Sequence, residues 1–489
     1  SGGVQFGQPY LYLPGRDRPV PVNDIHRYPG LPADREFWEF LTTAGQPGRV
    51  FQVNKRWNFS LTGARNRLTF VTEIGCGDYG RLPEILKEYR RRHAWKGLND
   101  YRIFSREWEA FLTAYRQAGL EGIFRSVDEF RRLTGQAAAE GTRRLLEGLL
   151  INPYCGGYIL YHYDESCWPM FGGLVTLWNQ VRPEPYRALK ELNADRVLVL
   201  EWGPRNFYAG RECEVTAWLV DQTRTPHAGR VRLSLAAGGK STAGELAYRS
   251  RGRRVERIGA WRFRAPETTG FGTLLGQLET EAGSSTPPVK YQVFVGPAGR
   301  LAGLKADLGR LPEELRANLA GSGIKNGPGP ILMDAAATTP IQLQAVRNEV
   351  KQGAAAIILH PETAGCLPPG LSSRPSRGWI FPSFHFLSEH PCFRDCRGDG
   401  VVGPAWAELA PRFSLQAEPA SGRELIGGFL VQNYRAGLFG TSFSHGHDLV
   451  IQREGKGRVI FCTYRLLETV GRNPLADTLL ANILAEAGR

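Results

Sequence analysis

Three groups of acidic residues in the first third of the chain stand where an apolar run stops and turn-forming residues begin. In LTFVTEIGCGDYG (68–80) the run from Leu68 to Thr72 ends in Glu73, and glycines follow at 75, 77 and 80. A second run, Gly157 to Tyr163, delivers Asp164 and Glu165, with Trp168 just beyond. The third, PVPVNDIHRYPG, carries Asp24, His26 and Tyr28. A carboxylate on the end of a buried strand, with glycine letting the backbone turn away behind it, suits nucleophilic or general acid–base work. At the C-terminal mouth of a (β/α)8 barrel such strand ends carry catalysis. The other reading of Glu73 is a loop cap, or a partner for one of the many arginines.

These residues need elements to hold them. Leu68, Phe70, Val71 and Thr72 suit a strand covered on both faces, as in a parallel sheet. Between the Glu73 and Asp164 strand ends, Ser126 and Glu129 predict a capping box opening a helix that carries Val127, Phe130, Leu133, Leu145, Leu146 and Leu149. Strand, helix, strand, helix is the barrel repeat, because parallel neighbours need a crossover.

With Arg182, Pro183, Tyr186, Ala188, Leu189 and Lys190 opening the next helix, the stretch resembles the last third of the catalytic barrel of glycoside hydrolase family two. That family holds the β-galactosidases, β-mannosidases and β-glucuronidases. The resemblance implies a retaining β-glycosidase with Glu73, in its TE-x-G setting, as nucleophile. It further implies that Asp24, His26, Tyr28, Tyr161, Asp164, Glu165 and Trp168 face the sugar. The residues themselves lead to no assigned cofactor or metal. The chain departs from many members at Leu160, Tyr161 and His162, where they carry Trp.

A retaining glycosidase needs two carboxyl groups about 5 Å apart. In the family the acid/base follows an Asn on the fourth barrel strand, and no Asn-Glu strand end precedes Asp24. The expectation is therefore residues 1–192 as the C-terminal part of a (β/α)8 catalytic barrel, completed by an N-terminal chain or subunit in an oligomeric assembly; the other reading is a truncated piece of one longer chain. β-Galactosides are the preferred substrate. The alternative is a non-catalytic glycan-binding or scaffolding subunit with an inherited barrel.

Beyond the barrel the rhythm changes. In CEVTAWLVD, Val215, Ala217 and Leu219 alternate with polar residues and Trp218, and VRLSL, AWRFRAP and YQVFVGP continue the cadence. This predicts an antiparallel β-sandwich over 193–296, which resembles the immunoglobulin-like domain that follows the barrel in many family-two enzymes. PILMDAAA, AAAIILHPE and GRVIFCTYR, with helices over Thr339–Gln352 and Pro474–Ala487, predict a doubly wound α/β domain over 297–489. It resembles the flavodoxin-like or glutamine-amidotransferase-like domains appended to some β-galactosidases. Cys366 falls too late for a nucleophile on the strand-to-helix elbow, so this domain is expected to be structural or an oligomerisation surface.

Composition bounds the rest. At 489 residues and 42% hydrophobic content the chain can form several cores. No run of about 18 apolar residues offers a membrane span, and SGGVQFGQ has no signal pattern. The formal charge of +13 comes from arginines scattered over the chain, which suits an acidic partner chain or glycan better than nucleic acid. The cluster Arg249–Arg257 reads as a solvated turn. Eight cysteines follow no regular framework. Cys392 and Cys396 near His385 and His390, and His445 and His447 beside Asp448, are metal-like spacings to which no metal is assigned. Gly455-Lys456-Gly457 lacks the P-loop order and predicts a hairpin turn.

Overall fold

The computed structural model describes residues 10–11, 20–26, 28, 30, 32–54, 59–65, 67–161, 163–164, 173–363, 365–376, 383–418, 420–435 and 438–489. Strands β1 (Tyr10–Leu11) and β2 (Val20–His26) pair antiparallel, and a hairpin of β3 (Val50–Asn54) and β4 (Phe59–Thr62) follows. β5 (Leu68–Ile74) and β6 (Cys155–Leu160) then complete an open sheet in the order β1-β2-β5-β6. β2, β5 and β6 run parallel. No closed eight-stranded barrel forms among the described residues; the chain supplies three parallel strands of one sheet.

Helix α1 (Arg35–Thr43) follows β2. Where the sequence predicts one helix between β5 and β6, the structure has three: α2 (Leu82–Arg91), α3 (Asn99–Gln117) and α4 (Val127–Leu150). The first two are amphipathic, burying Leu82, Ile85, Leu86 and Tyr89 on one and Phe104, Phe111 and Tyr115 on the other. α4 is capped by Ser126, whose hydroxyl accepts from the Glu129 amide at 3.1 Å. The reciprocal half of the expected capping box is displaced by one residue: the Glu129 carboxylate accepts from the Arg125 amide at 2.8 Å. Asn152, just past α4, donates to the carbonyls of Leu41 and Ala44, so it closes the C-terminal end of α1. α5 (Pro183–Leu192) lies against α4.

From Arg196 to Gly296 the chain is antiparallel apart from one short parallel pair, with a five-stranded sheet facing a three-stranded one. Val215, Ala217 and Leu219 are fully buried with Leu198, Leu233 and Leu274 between the two sheets, as the alternation predicts. The Ser250–Arg254 turn is organised by Glu256, which accepts from the amides of Arg251 and Arg253. Arg254 is not merely solvated, because it reaches the carbonyl of Asn152 at 2.9 Å. This sandwich grips α4: Tyr291 donates to the buried Glu147 at 2.9 Å, and Arg144 donates to the Leu200 carbonyl at 2.8 Å.

In the remainder, Lys305–Asp307, Lys325–Asp334, Ala355–Leu359 and Gly457–Cys462 are parallel neighbours, with α6 (Glu313–Gly321), α7 (Pro340–Lys351) and α8 (Pro474–Ala487) among them. The doubly wound expectation departs here in two respects. Leu449–Glu454 and Arg423–Ile426 extend the sheet antiparallel, and two smaller sheets are inserted between Leu359 and Leu449. Gly455, at φ 61°, and Lys456 form the expected hairpin turn. α8 is buried almost all round because it is sandwiched between this sheet and the strand Val289–Gly296.

Candidate active site

Glu73 sits at an irregularity of β5. Val71 opposes Ile25 on one side and Tyr158 on the other, yet the next pairs are Glu73 with His26 and Ile74 with Leu160. One extra residue is therefore accommodated at Thr72–Glu73. The burial alternation of Thr69 and Val71 breaks there, and Ile74 resumes it one residue late. A bulge of this kind re-aims side chains at the end of a strand. Both Thr72 and Glu73 are left half-buried on the rim rather than in the core or in solvent.

Two residues of the Asp24/His26/Tyr28 cluster engage this bulge directly. Tyr28, 1% exposed, donates its hydroxyl to Glu73 Oε2 at 2.8 Å. Thr72 donates its hydroxyl to Asp24 Oδ1. Burial first, then the hydrogen bond and negative charge of Glu73, hold the Tyr28 phenol far above its ordinary pKa, so it stays a donor. His26 is the backbone partner of Glu73.

The exit from β5 is pinned at each step. A Cβ on Gly75 would come 2.4 Å from the Tyr161 carbonyl, so this close strand approach admits only glycine. Asp78 forms a buried ion pair with Arg182 at the head of α5, and Arg182 also donates to the Gly173 carbonyl at 2.6 Å. Tyr79 is fully buried among Phe111, Phe130 and Phe384 at ring separations of 5.0, 5.2 and 5.5 Å, and donates to the Leu430 carbonyl at 2.6 Å. Burial pushes the Cys76 thiol up to about 12, which makes it an inert core group. Sequence reasoning took the glycines as the signal and passed over Thr72, Asp78 and Tyr79. The aromatic inside a glycine-rich loop was the available cue.

Tyr161 joins the site through its amide, which donates to the Ile74 carbonyl at 2.9 Å, and its phenol lies close enough to Tyr28 to interact electrostatically. Asp164 is half-buried three residues on, bridged to Val175. Tyr163 is 67% exposed and turns to the β6 side of the sheet, where it lines a groove with Leu68 and Leu160. Glu165 and Trp168, expected to face the sugar, lie outside the described residues, as does His162.

The metal-like spacings resolve into other interactions. His385 Nδ1 is 2.8 Å from Asp448 in a buried pair, His390 lies 3.2 Å from Glu424, and His447 faces the Gly427 carbonyl at 3.3 Å. Cys392 and Cys396 are buried free thiols. Among the described residues no group of three or more His, Cys, Asp or Glu is arranged to hold a metal ion. A cavity of about 350 Å³ opens between α1, α4 and the sandwich, lined by Trp38, Arg144, Trp202 and Arg205; Glu73 takes no part in it.

No protein-family model and no curated protein matches the chain. Among solved structures it is similar to a β-D-mannosidase from Dictyoglomus thermophilum, at 16% identity and a TM-score of 0.31, over 45% of this chain and 27% of that one. It is also similar to the exo-β-D-glucosaminidase CsxA, at 14% identity and a TM-score of 0.33, over 48% of this chain and 29% of that one. A separate structure of the Amycolatopsis orientalis exo-chitosanase CsxA gives 13% identity and a TM-score of 0.26, over 32% and 19%. The chain thus spans less than a third of the length of each of these glycosidases, at scores that leave its family unassigned.

Proposed function

We propose that this chain is the C-terminal part of a retaining β-glycosidase, with Glu73 as the nucleophile and the acid/base supplied by a second chain that completes the barrel. The observation that carries this reading is the bulged end of β5, where Glu73 is presented on the rim and held by the hydroxyl of the buried Tyr28 at 2.8 Å. A nucleophilic carboxylate must be ionised and oriented. Tyr28 serves the second need, because its hydroxyl on Oε2 fixes the plane of the carboxyl group. Rigid anchoring of the exit loop through Asp78, Arg182 and Tyr79 holds that geometry while the sugar is attacked.

In this reading Glu73 attacks the anomeric carbon as the partner's carboxylic acid protonates the leaving oxygen. The same partner carboxylate then activates water to release the sugar. Asp24, His26, Tyr161, Asp164, Glu165 and Trp168 surround the sugar, and terminal β-galactosides are the proposed substrates. The sandwich after the barrel, immunoglobulin-like in this reading, braces α4 through Tyr291 and Arg144.

A mechanism-based probe of the fluorinated-sugar or cyclophellitol type should label Glu73 in the active complex, with the modified peptide identified by mass spectrometry. Labelling at another carboxylate, or a Glu73→Gln variant with near-normal turnover of activated aryl glycosides, would defeat the assignment. Complete complex with neither labelling nor hydrolysis would favour the glycan-binding role.

A further inference from the structure

β6 is the last strand of its sheet. It pairs with β5 on one side, and among the described residues no strand covers the other. An open edge of a parallel sheet presents unpaired amides and carbonyls, which proteins ordinarily cover or guard with charge. Here no strand covers it among the described residues, and Arg254 reaches only the carbonyl of Cys155 at its start, at 3.4 Å. Tyr154, Ile159 and Tyr163 on and beside it are 41, 51 and 67% exposed, and Leu68 of β5 is 42% exposed beneath it.

A groove of about 1410 Å³ follows this edge from the start of β6 to its end. Its floor is apolar, with Leu149 and Leu189 from the helices, and Leu160 and Leu174 at the far end. The charged residues that line it are Arg65, Arg67, Arg224 and Arg254, and no aspartate or glutamate joins them. An apolar floor at a free hydrogen-bonding edge asks for an extended backbone with apolar side chains on one face. A rim of one sign asks for acidic side chains on the occupant.

We propose that this groove docks an extended, acidic polypeptide segment of a partner chain, which adds to β6 as a strand. The proposal rests on the reading that a second chain completes the barrel, and it locates where that chain attaches. β6 has six residues, so the docked strand is about 20 Å long at roughly 3.3 Å per residue. Added in the parallel sense that a barrel requires, it would point its C-terminal end to the same rim as Glu73.

The test uses the full chain with three probes: a synthetic decapeptide alternating valine and glutamate, its valine–lysine counterpart, and heparin. Amide exchange over Cys155–Leu160 is followed by mass spectrometry. The acidic peptide should slow exchange at these amides by about tenfold, as expected for an edge that becomes hydrogen-bonded, and the basic peptide should not. The double substitution Arg67→Glu with Arg224→Glu should abolish the protection, and Ile159→Asp should weaken it. No protection by the acidic peptide, equal protection by both peptides, or protection by heparin alone overturns the proposal. Hydrolysis and Glu73 labelling, measured on the same samples after addition of a complementing chain, separate it from the glycosidase reading. Restored hydrolysis with β6 still exchanging freely overturns the docking mode alone, whereas a protected β6 in a complex that neither hydrolyses nor labels Glu73 overturns the glycosidase reading alone.

Discussion

Tyr28 and Glu73 are 45 residues apart and meet at 2.8 Å, and the value of that contact can be measured. A hydrogen bond to a charged group contributes about 1.5–3 kcal/mol. In the proposed enzyme, Tyr28→Phe is therefore expected to lower kcat of the complex roughly 10- to 100-fold, at about 1.4 kcal/mol per tenfold. Unaltered kinetics would mean that the tyrosine is only a core residue. Gly75→Ala tests the strand approach behind Glu73. Its new methyl group would sit 2.4 Å from the Tyr161 carbonyl, a backbone atom that cannot swing aside, so we expect about 1–3 kcal/mol of destabilisation. Denaturant unfolding reads this directly, and an unchanged midpoint would contradict it. Residue types at the strand ends made Glu73 and Tyr28 visible as candidates. Their hydrogen bond was not visible, because nothing local encodes a contact across parallel strands.

Helix α3 is tied to the C-terminal part of the chain by a buried pair: Gln432 donates to Glu107, which is 3% exposed. Burial pushes the Glu107 carboxyl up to about 8, against an opposing pull from that hydrogen bond. The sign of the consequence follows by linkage. The folded chain binds this proton more tightly than the unfolded one, whose carboxyl titrates at its ordinary value of 4.5. Its contribution is therefore most favourable below that value and is lost as pH rises toward about 8. Urea unfolding across this range should show the decline, and Glu107→Gln should flatten it and stabilise the chain at the alkaline end. An identical slope in the variant would place the titration elsewhere. α4 and the alternating sandwich strands were readable from spacing and caps. The β5 bulge and the inserted sheets were not, because a bulge is defined against both neighbouring strands and the inserted strands pair out of sequence order.

Among the described residues the sheet that carries Glu73 does not close. Three parallel strands with an exposed, apolar edge predict a protein that self-associates, or binds a hydrophobic dye, unless the proposed partner is present. If a second chain completes the sheet as proposed, the contact should bury more than about 2,000 Å², the scale of obligate interfaces. Sedimentation of the chain alone and with its partner tests the association, and glycosidase assays of the same samples test its meaning. Activity is expected only in the complex. A monodisperse, fully active preparation of this chain by itself would refute the incomplete barrel and turn attention to Asp24, Asp164 or Glu165 as the second carboxylate.

Short-range periodicity was enough to mark the strand that carries Glu73, the helix opened by Ser126, the alternation of Val215, Ala217 and Leu219, and the Gly455–Lys456 turn, because each depends on neighbours within a few residues. Which of these elements touch was decided elsewhere. Tyr79 reaching Leu430, Glu107 meeting Gln432 and Tyr291 holding Glu147 join residues between 144 and 351 positions apart. Such contacts form only when separate segments bury their apolar faces against one another, and their polar groups must then find partners inside the same core. The register of β5 between β2 and β6, and with it the aim of Glu73, belongs to that second class: it is a compromise between two neighbouring strands that no stretch of sequence contains.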